Sequence, residues 1–425
     1  MTAPARARAL HTRAGRNEFF GRALAHPIRT ILIVYAATRL LAVLAMWVAA
    51  TWFQTPAGVG HLDPGVGDIL RLWDAQWYRR IAVDGYPLPL PRDGDTGEIT
   101  YSAWAFFPLF PMIVRGLMAL GLDFTVAAVA LNLVLGAVGA VLIWAISRKA
   151  VHAAPQAHRD RLALLATCLW CLYPATGILV MPYSEPLALV LTAATILLVM
   201  DRRYWWAAAV VIPLGFTRAV APAVGIVVLV HLVARMGGDL RRLRTEFRGQ
   251  WAGLITLCMA VAVSAVSWPV VVGLRTGRAT AFYEVQAVWG QRPEKGPFVQ
   301  WLTWAWGLHG VFGIALVAGC LGAYVVLVAG RHGRWLPLEV RAWAYAYPLY
   351  LFAVVRPITS MWRFLVLDFP LTALVASVAM RTSTGGPIVG HWRRRVLMLA
   401  LPLVVGMFWW TATLLTYVPW GASPP

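Results

Sequence analysis

Asp74 stands between Trp73 and Trp77 in the run Arg71-Leu72-Trp73-Asp74-Ala75-Gln76-Trp77-Tyr78. A carboxylate held against indole rings loses part of its water, which makes it a stronger base, suited to taking a proton from a hydroxyl such as a sugar's. A reaction of that kind also needs something to stabilise the group that leaves. Arg218, Arg356 and Arg363 each lie where an apolar run breaks or ends, and a guanidinium matches phosphate oxygens two at a time. The pattern suits base-assisted attack by a hydroxyl with departure of a phosphate. Each residue also has a plainer reading. Asp74 can pair with Arg71 or Arg79 as an ordinary loop carboxylate, and arginines at a membrane edge can simply snorkel to the interface.

Trp73, Trp77, Tyr78, Asp84 and Glu185 are further candidates for contact with a substrate. Asp84, which precedes Gly85, is equally suited to a turn, and Ser184-Glu185 opens an apolar run as a helix N-cap would. Trp289, Trp301, Trp304 and Trp306 can stack on a sugar or form an interfacial aromatic belt. Neither a G-x-x-x-x-G-K-[ST] nor a G-x-G-x-x-G signature occurs, which argues against a nucleotide donor. Cys168 and Cys171 have redox spacing without a soluble βα context and read, with Cys258 and Cys320, as small apolar residues. No ligand cluster argues for a metal, and no cofactor is expected.

These residues must be positioned by membrane-spanning elements. In 425 residues, 60% are hydrophobic and 13% charged, about half the charged share of a soluble domain. The formal net charge of +19 comes from arginines placed in short segments between apolar runs, the pattern of the positive-inside rule rather than of a nucleic-acid-binding surface. About eleven spans are expected: 27–53, 124–147, 162–180, 186–200, two within 204–235 broken near Thr217-Arg218, then 251–274, 308–330, 337–355, 364–380 and 396–417. A basic tail, 1–26, is then cytoplasmic. Residues 27–417 form one transmembrane domain with outer loops at about 54–123 and 275–307, and 418–425 form an outer tail. Within the first loop, Ala105–Leu120 carries two prolines and Arg115, and charge placement makes it an interfacial or re-entrant helix. The carboxylates thus gather outside, where an activated group must arrive on a lipid carrier.

Several stretches resemble one known family. They are Trp-Asp-Ala-Gln-Trp-Tyr-Arg-Arg-Ile-Ala-Val-Asp-Gly-Tyr-Pro (73–87), Ala-Phe-Phe-Pro-Leu-Phe-Pro (105–111), Tyr-Pro-Ala (173–175), Pro-Tyr-Ser-Glu (182–185), Leu-Gly-Phe-Thr-Arg (214–218) and Trp-Arg-Phe-Leu-Val-Leu-Asp-Phe-Pro (362–370). In this order they are similar to the GPI mannosyltransferase II (PIG-V) type family, multi-span glycosyltransferases of the GT-C class with bacterial relatives. The resemblance implies an all-α GT-C type helical bundle in the plasma (inner) membrane. It also implies inverting transfer of mannose from a polyprenyl-phosphate donor to a glycolipid, polysaccharide or protein acceptor on the outer face, with Asp74 as base. Relatives often carry an acidic residue just before the second motif, where this chain has Tyr101-Ser102 and Glu98 is the nearest carboxylate. The rival reading is a transporter or flippase for a lipid-linked sugar, which predicts inverted repeats and several deeply buried charges.

Overall fold

A computed structural model describes residues 23–55, 63–149, 156–237, 239, 243–291, 295–380 and 390–417. The tail 418–425 and most of the basic tail 1–26 lie outside the described residues. Among these the protein is helical, with one isolated antiparallel bridge, Arg92 to Ile99. In chain order the helices are α1 (Pro27–Trp52), α2 (Asp74–Asp84), α3 (Leu109–Met118), α4 (Phe124–Arg148), α5 (Gln156–Cys171), α6 (Glu185–Met200), α7 (Tyr204–Leu214) and α8 (Ala221–Met236). There follow α9 (Trp251–Thr276), α10 (Ala281–Val288), α11 (Val299–His309), α12 (Val311–Ala329), α13 (Leu338–Val354), α14 (Met361–Phe364), α15 (Pro370–Met380) and α16 (Trp392–Trp410).

Among the described residues, five helices are long and apolar enough to cross a membrane, namely α1, α4, α9, α12 and α16, or six if the bent pair α14–α15 is one span. This is a membrane protein. Two of the other expected spans are interrupted, and the reasons are local. The run at 162–180 stops being α-helical at Cys171, because Pro174 lacks the N–H that would continue the ladder, and a 3₁₀ turn, Pro174–Leu179, follows. The run at 364–380 bends by 80° before Pro370. The second loop, expected at about 275–307, carries the two helices α10 and α11, the latter separated from α12 by Gly310 at φ +58°. The 204–235 stretch does break into α7 and α8 around Thr217-Arg218. Helix α3 has ten residues, about 15 Å at 1.5 Å each, half of what a span needs.

Packing follows from small residues and buried carbonyls. Helix α9 lies along α7 and α8, α8 along α13, and α4 along α5 and α6. Gly215 allows the first of these contacts: a Cβ there would come within 2.3 Å of the Ser264 carbonyl oxygen. Arg39, buried within α1, answers the unpaired carbonyls at the end of α5, donating to Cys171 O at 2.8 Å and also to Thr176. A cation at a helix C-terminus is favoured by the dipole, so Arg39 holds structure rather than marking a transport path.

Candidate active site

Asp74 is the first residue of α2, and the chain enters that helix through Trp73 at φ +58°, a conformation that non-glycine residues adopt only when their surroundings hold them. The turn throws the Trp73 ring away from Asp74. It stacks on Tyr417 at 4.3 Å and donates to Leu415 O at 3.0 Å. Asp74 therefore does not sit between two indoles.

Its neighbour is instead Arg363. Nη1 of that guanidinium donates to Asp74 Oδ2 at 2.6 Å and to Glu185 Oε1 at 3.0 Å. Arg218 Nη1 lies 2.9 Å from the same Glu185 oxygen and 3.3 Å from Ser184 Oγ. The four side chains form a ladder, Asp74, Arg363, Glu185, Arg218, of alternating charge. Glu185 is wholly buried and Arg363 nearly so, while Asp74 and Arg218 keep 14% and 17% of their side chains exposed. Charges removed from water to this degree persist only when each meets an opposite charge, which is what the ladder supplies.

Local structure explains how residues so far apart meet. Ser184 precedes α6 but makes no capping bond with its side chain; its Oγ lies 2.7 Å from the Tyr78 hydroxyl. Ser184 thus takes the N-cap position expected of it without capping through its side chain, and Glu185 sits in the first turn of the helix, where a carboxylate is favoured. Burial pushes the Tyr78 phenol above its ordinary range, so it stays a neutral hydrogen-bonding group. Asn132 on α4 fixes the preceding turn, donating to Met181 O at 2.5 Å and Tyr183 O at 2.8 Å. Arg218 hangs in the break between α7 and α8, and Arg363 lies on α14 before the 80° bend. Irregular backbone inside a membrane protein is tolerated where it lines a polar cavity, and these breaks do so.

The cavity has a volume of about 1110 Å³ and is lined by Asp74, Trp77, Tyr78, Arg218, Arg356 and Arg363 among others. One wall is aromatic. Trp77 stacks on Phe106 at 5.7 Å, and Trp289 meets both edge-on at 5.6 and 5.5 Å. Another wall is apolar, with Pro222, Ala265, Pro269, Phe282, Leu351 and Val354. At the rim, Arg356 lies over Gly290, which at φ +78° has no side chain to displace it; a Cβ there would meet its Nη1 at 2.3 Å. No carboxylate pairs with Arg356 among the described residues.

The sequence candidates therefore divide. Asp74, Trp77, Tyr78, Arg218, Arg356 and Arg363 line one cavity. Glu185 touches it only through the two arginines. Trp73 packs away from it, and Asp84 is exposed at the far end of α2, outside the lining. Trp289, which the sequence leaves open between belt and site, belongs to the cavity wall, as does Phe106 from the second motif. Tyr347 and Tyr350 on α13 also line it and carry no sequence signal beyond their spacing in an apolar helix. Among the described residues no group of three or more His, Cys, Asp or Glu has the geometry to hold a metal.

The curated proteins yield no match. Among solved structures, ArnT from Cupriavidus metallidurans bound to undecaprenyl phosphate is similar at 15% identity and a TM-score of 0.47, covering 89% of this chain and 75% of that one. The archaeal oligosaccharyltransferase AglB from Archaeoglobus fulgidus, in complex with an inhibitory peptide and a dolichol-phosphate, is similar at 12% identity and a TM-score of 0.49. The chain covers 57% of that protein's length, with 94% of its own residues aligned. Over residues 62–248, which hold Asp74, Glu185 and Arg218, the chain matches the Mannosyltransferase (PIG-V) family, the same family that its sequence motifs resemble.

Proposed function

We propose that the protein is an inverting mannosyltransferase that moves mannose from a polyprenyl-phosphate donor to an acceptor hydroxyl on the outer face of the plasma membrane. The observation that carries this reading is the one cavity in which a carboxylate, a wall of aromatic rings, the exposed Arg356, the mostly buried Arg218 and an apolar flank converge. Each part answers one part of such a substrate. Asp74 takes the acceptor proton as the hydroxyl attacks the anomeric carbon. The sugar lies against Trp77, Phe106 and Trp289. Arg218 and Arg356 meet the phosphate as the bond to it breaks and its charge grows. Pro222, Pro269, Phe282 and Leu351 take the first isoprene units. Arg363, already claimed by two carboxylates, holds Asp74 in place rather than binding phosphate. The outer-face assignment rests on the arginine-rich segments, which by the positive-inside rule belong at the opposite end of the bundle.

The test is transfer of radiolabelled mannose from synthetic polyprenyl-phosphate-mannose to endogenous acceptors, in membranes containing the wild type or Asp74→Asn at equal expression. The wild type labels acceptor, and the variant loses about 10²-fold or more, the usual worth of a general base. Equal labelling by both removes Asp74 from the base role. Transbilayer movement of an unaltered donor, with no covalent product, would favour the flippase.

A further inference from the structure

Glu185 cannot touch a substrate. It is wholly buried, lies outside the cavity lining, and meets the site only through Arg363 and Arg218. Its position in the ladder nevertheless bears on the reaction. A guanidinium held 2.6 Å from a carboxylate stabilises the ionised form and so makes it a poorer base. Arg363 alone beside Asp74 would therefore oppose the proton transfer that Asp74 must perform. Glu185, on the same Nη1, draws part of that positive charge onto itself.

We infer that Glu185 is a positioning and charge-balancing residue that keeps Asp74 basic while Arg363 fixes its orientation. This inference rests on the mannosyl-transfer reading and deepens it. The charges follow the reaction. At rest two carboxylates and two guanidiniums sum to zero. The donor's phosphodiester carries one negative charge. As the acceptor oxygen bonds to the anomeric carbon, the bond from that carbon to the phosphate oxygen breaks, and its electron pair stays with the phosphate. The acceptor proton goes to Asp74. The freed monoester then carries about −1.5 to −2, while the ladder, with Asp74 neutral, carries +1. The positive charge thus appears in the site as the extra negative charge appears on the phosphate, with Arg218, at the opposite end of the ladder from Asp74, lining the same cavity. Without Glu185 the ladder would already be positive before the proton moved, and protonation of Asp74 would raise it to +2.

Several charged or titratable groups face Asp74. They are Arg363 from α14, Glu185 from α6, Tyr183 from the turn before it, Tyr78 one turn along α2, and Arg218 from the α7–α8 break. The two tyrosines are buried and neutral, so the balance lies with the arginines and Glu185.

The test is infrared titration of the full-length protein in lipid nanodiscs, with the Asp74 carboxylic-acid band identified by its loss in Asp74→Asn. In Glu185→Gln the pH at which the band is half-developed falls by about one unit, the effect of removing a nearby like charge. Glu185→Asp, which keeps the charge, restores most of that shift. Arg218→Gln moves the midpoint upward, and it decides the matter where Glu185→Gln does not fold. A midpoint unmoved or raised in Glu185→Gln, or unmoved or lowered in Arg218→Gln, overturns the inference. An equal downward shift in Glu185→Asp also overturns it, since fit rather than charge would then be responsible. In the transfer assay, the acid limb of the Glu185→Gln pH profile moves down and kcat falls while the donor KM stays within about threefold. The infrared midpoint needs no turnover, so a failure of transfer counts against the proposed reaction and not against Glu185.

Discussion

Replacing Arg363 with Met is the sharpest perturbation of the ladder. Methionine keeps most of the apolar stem, so the loss is chiefly that of the charged head. Asp74 then loses the cation it is paired with, and Glu185 retains only Arg218 at 2.9 Å. Removing one partner of a buried pair costs about 3–5 kcal/mol. The lower end applies here, because Asp74 keeps 14% of its side chain exposed to the cavity and Glu185 keeps one partner. The expected loss is about 3 kcal/mol, or about 10²-fold in the folding equilibrium. Asp74→Asn is the control. It leaves Arg363 with Glu185 and should cost less than half as much, although its transfer falls by about 10²-fold or more. Reversible unfolding in mixed micelles reads the difference, and the double variant isolates the coupling. Arg363→Met within about 1 kcal/mol of the wild type, or Asp74→Asn as destabilised as Arg363→Met, would refute the claim that Arg363 is the buried clamp.

Arg356→Gln should raise the donor KM about tenfold, as expected for one charge-assisted contact to phosphate, and leave stability within about 0.5 kcal/mol because the side chain is exposed; thermal unfolding and a donor titration check both halves. Trp289→Ala removes the ring that closes the corner with Trp77 and Phe106. It should lower kcat/KM by about tenfold, near the worth of an aromatic contact, whereas Trp301→Ala, whose ring packs on Phe352 outside the cavity lining, should leave transfer unchanged.

Which parts of this arrangement the chain shows without coordinates depends on range. Apolar runs are local signals, and a helix occupies each of the eleven expected segments. Asp74 and the two family motifs beside it are local too, and they do converge on the cavity. The error at Trp73 is also local. Adjacency places it beside Asp74, but one residue at positive φ turns its ring toward Tyr417, and no periodicity reports that. The ladder is out of reach for a different reason. Arg363 is separated by 289 residues from Asp74 and by 178 from Glu185, so their meeting depends on how α2, α6 and α14 pack. A membrane-edge arginine and a buried clamp look alike until that packing is known.

What the sequence does mark is the set of breaks. Glu185 follows the irregular stretch after α5, Arg218 sits in the gap between α7 and α8, and Arg363 precedes the 80° bend at Pro370. Each break frees backbone polar groups that a lipid-facing helix could not leave unpaired, so each must face the interior or a cavity. Each also brings helix ends inward, and the first residues of α2 and α6 are both carboxylates that the helix dipoles favour. Two N-termini and two guanidiniums in one place create a strongly positive field, and Asp74 and Glu185 offset most of it at rest. In the proposed reaction a proton taken by Asp74 would halve that offset and leave the field for the departing phosphate. Breaking helices at three separate points is thus how a bundle of apolar spans can gather two carboxylates and two guanidiniums beside one cavity.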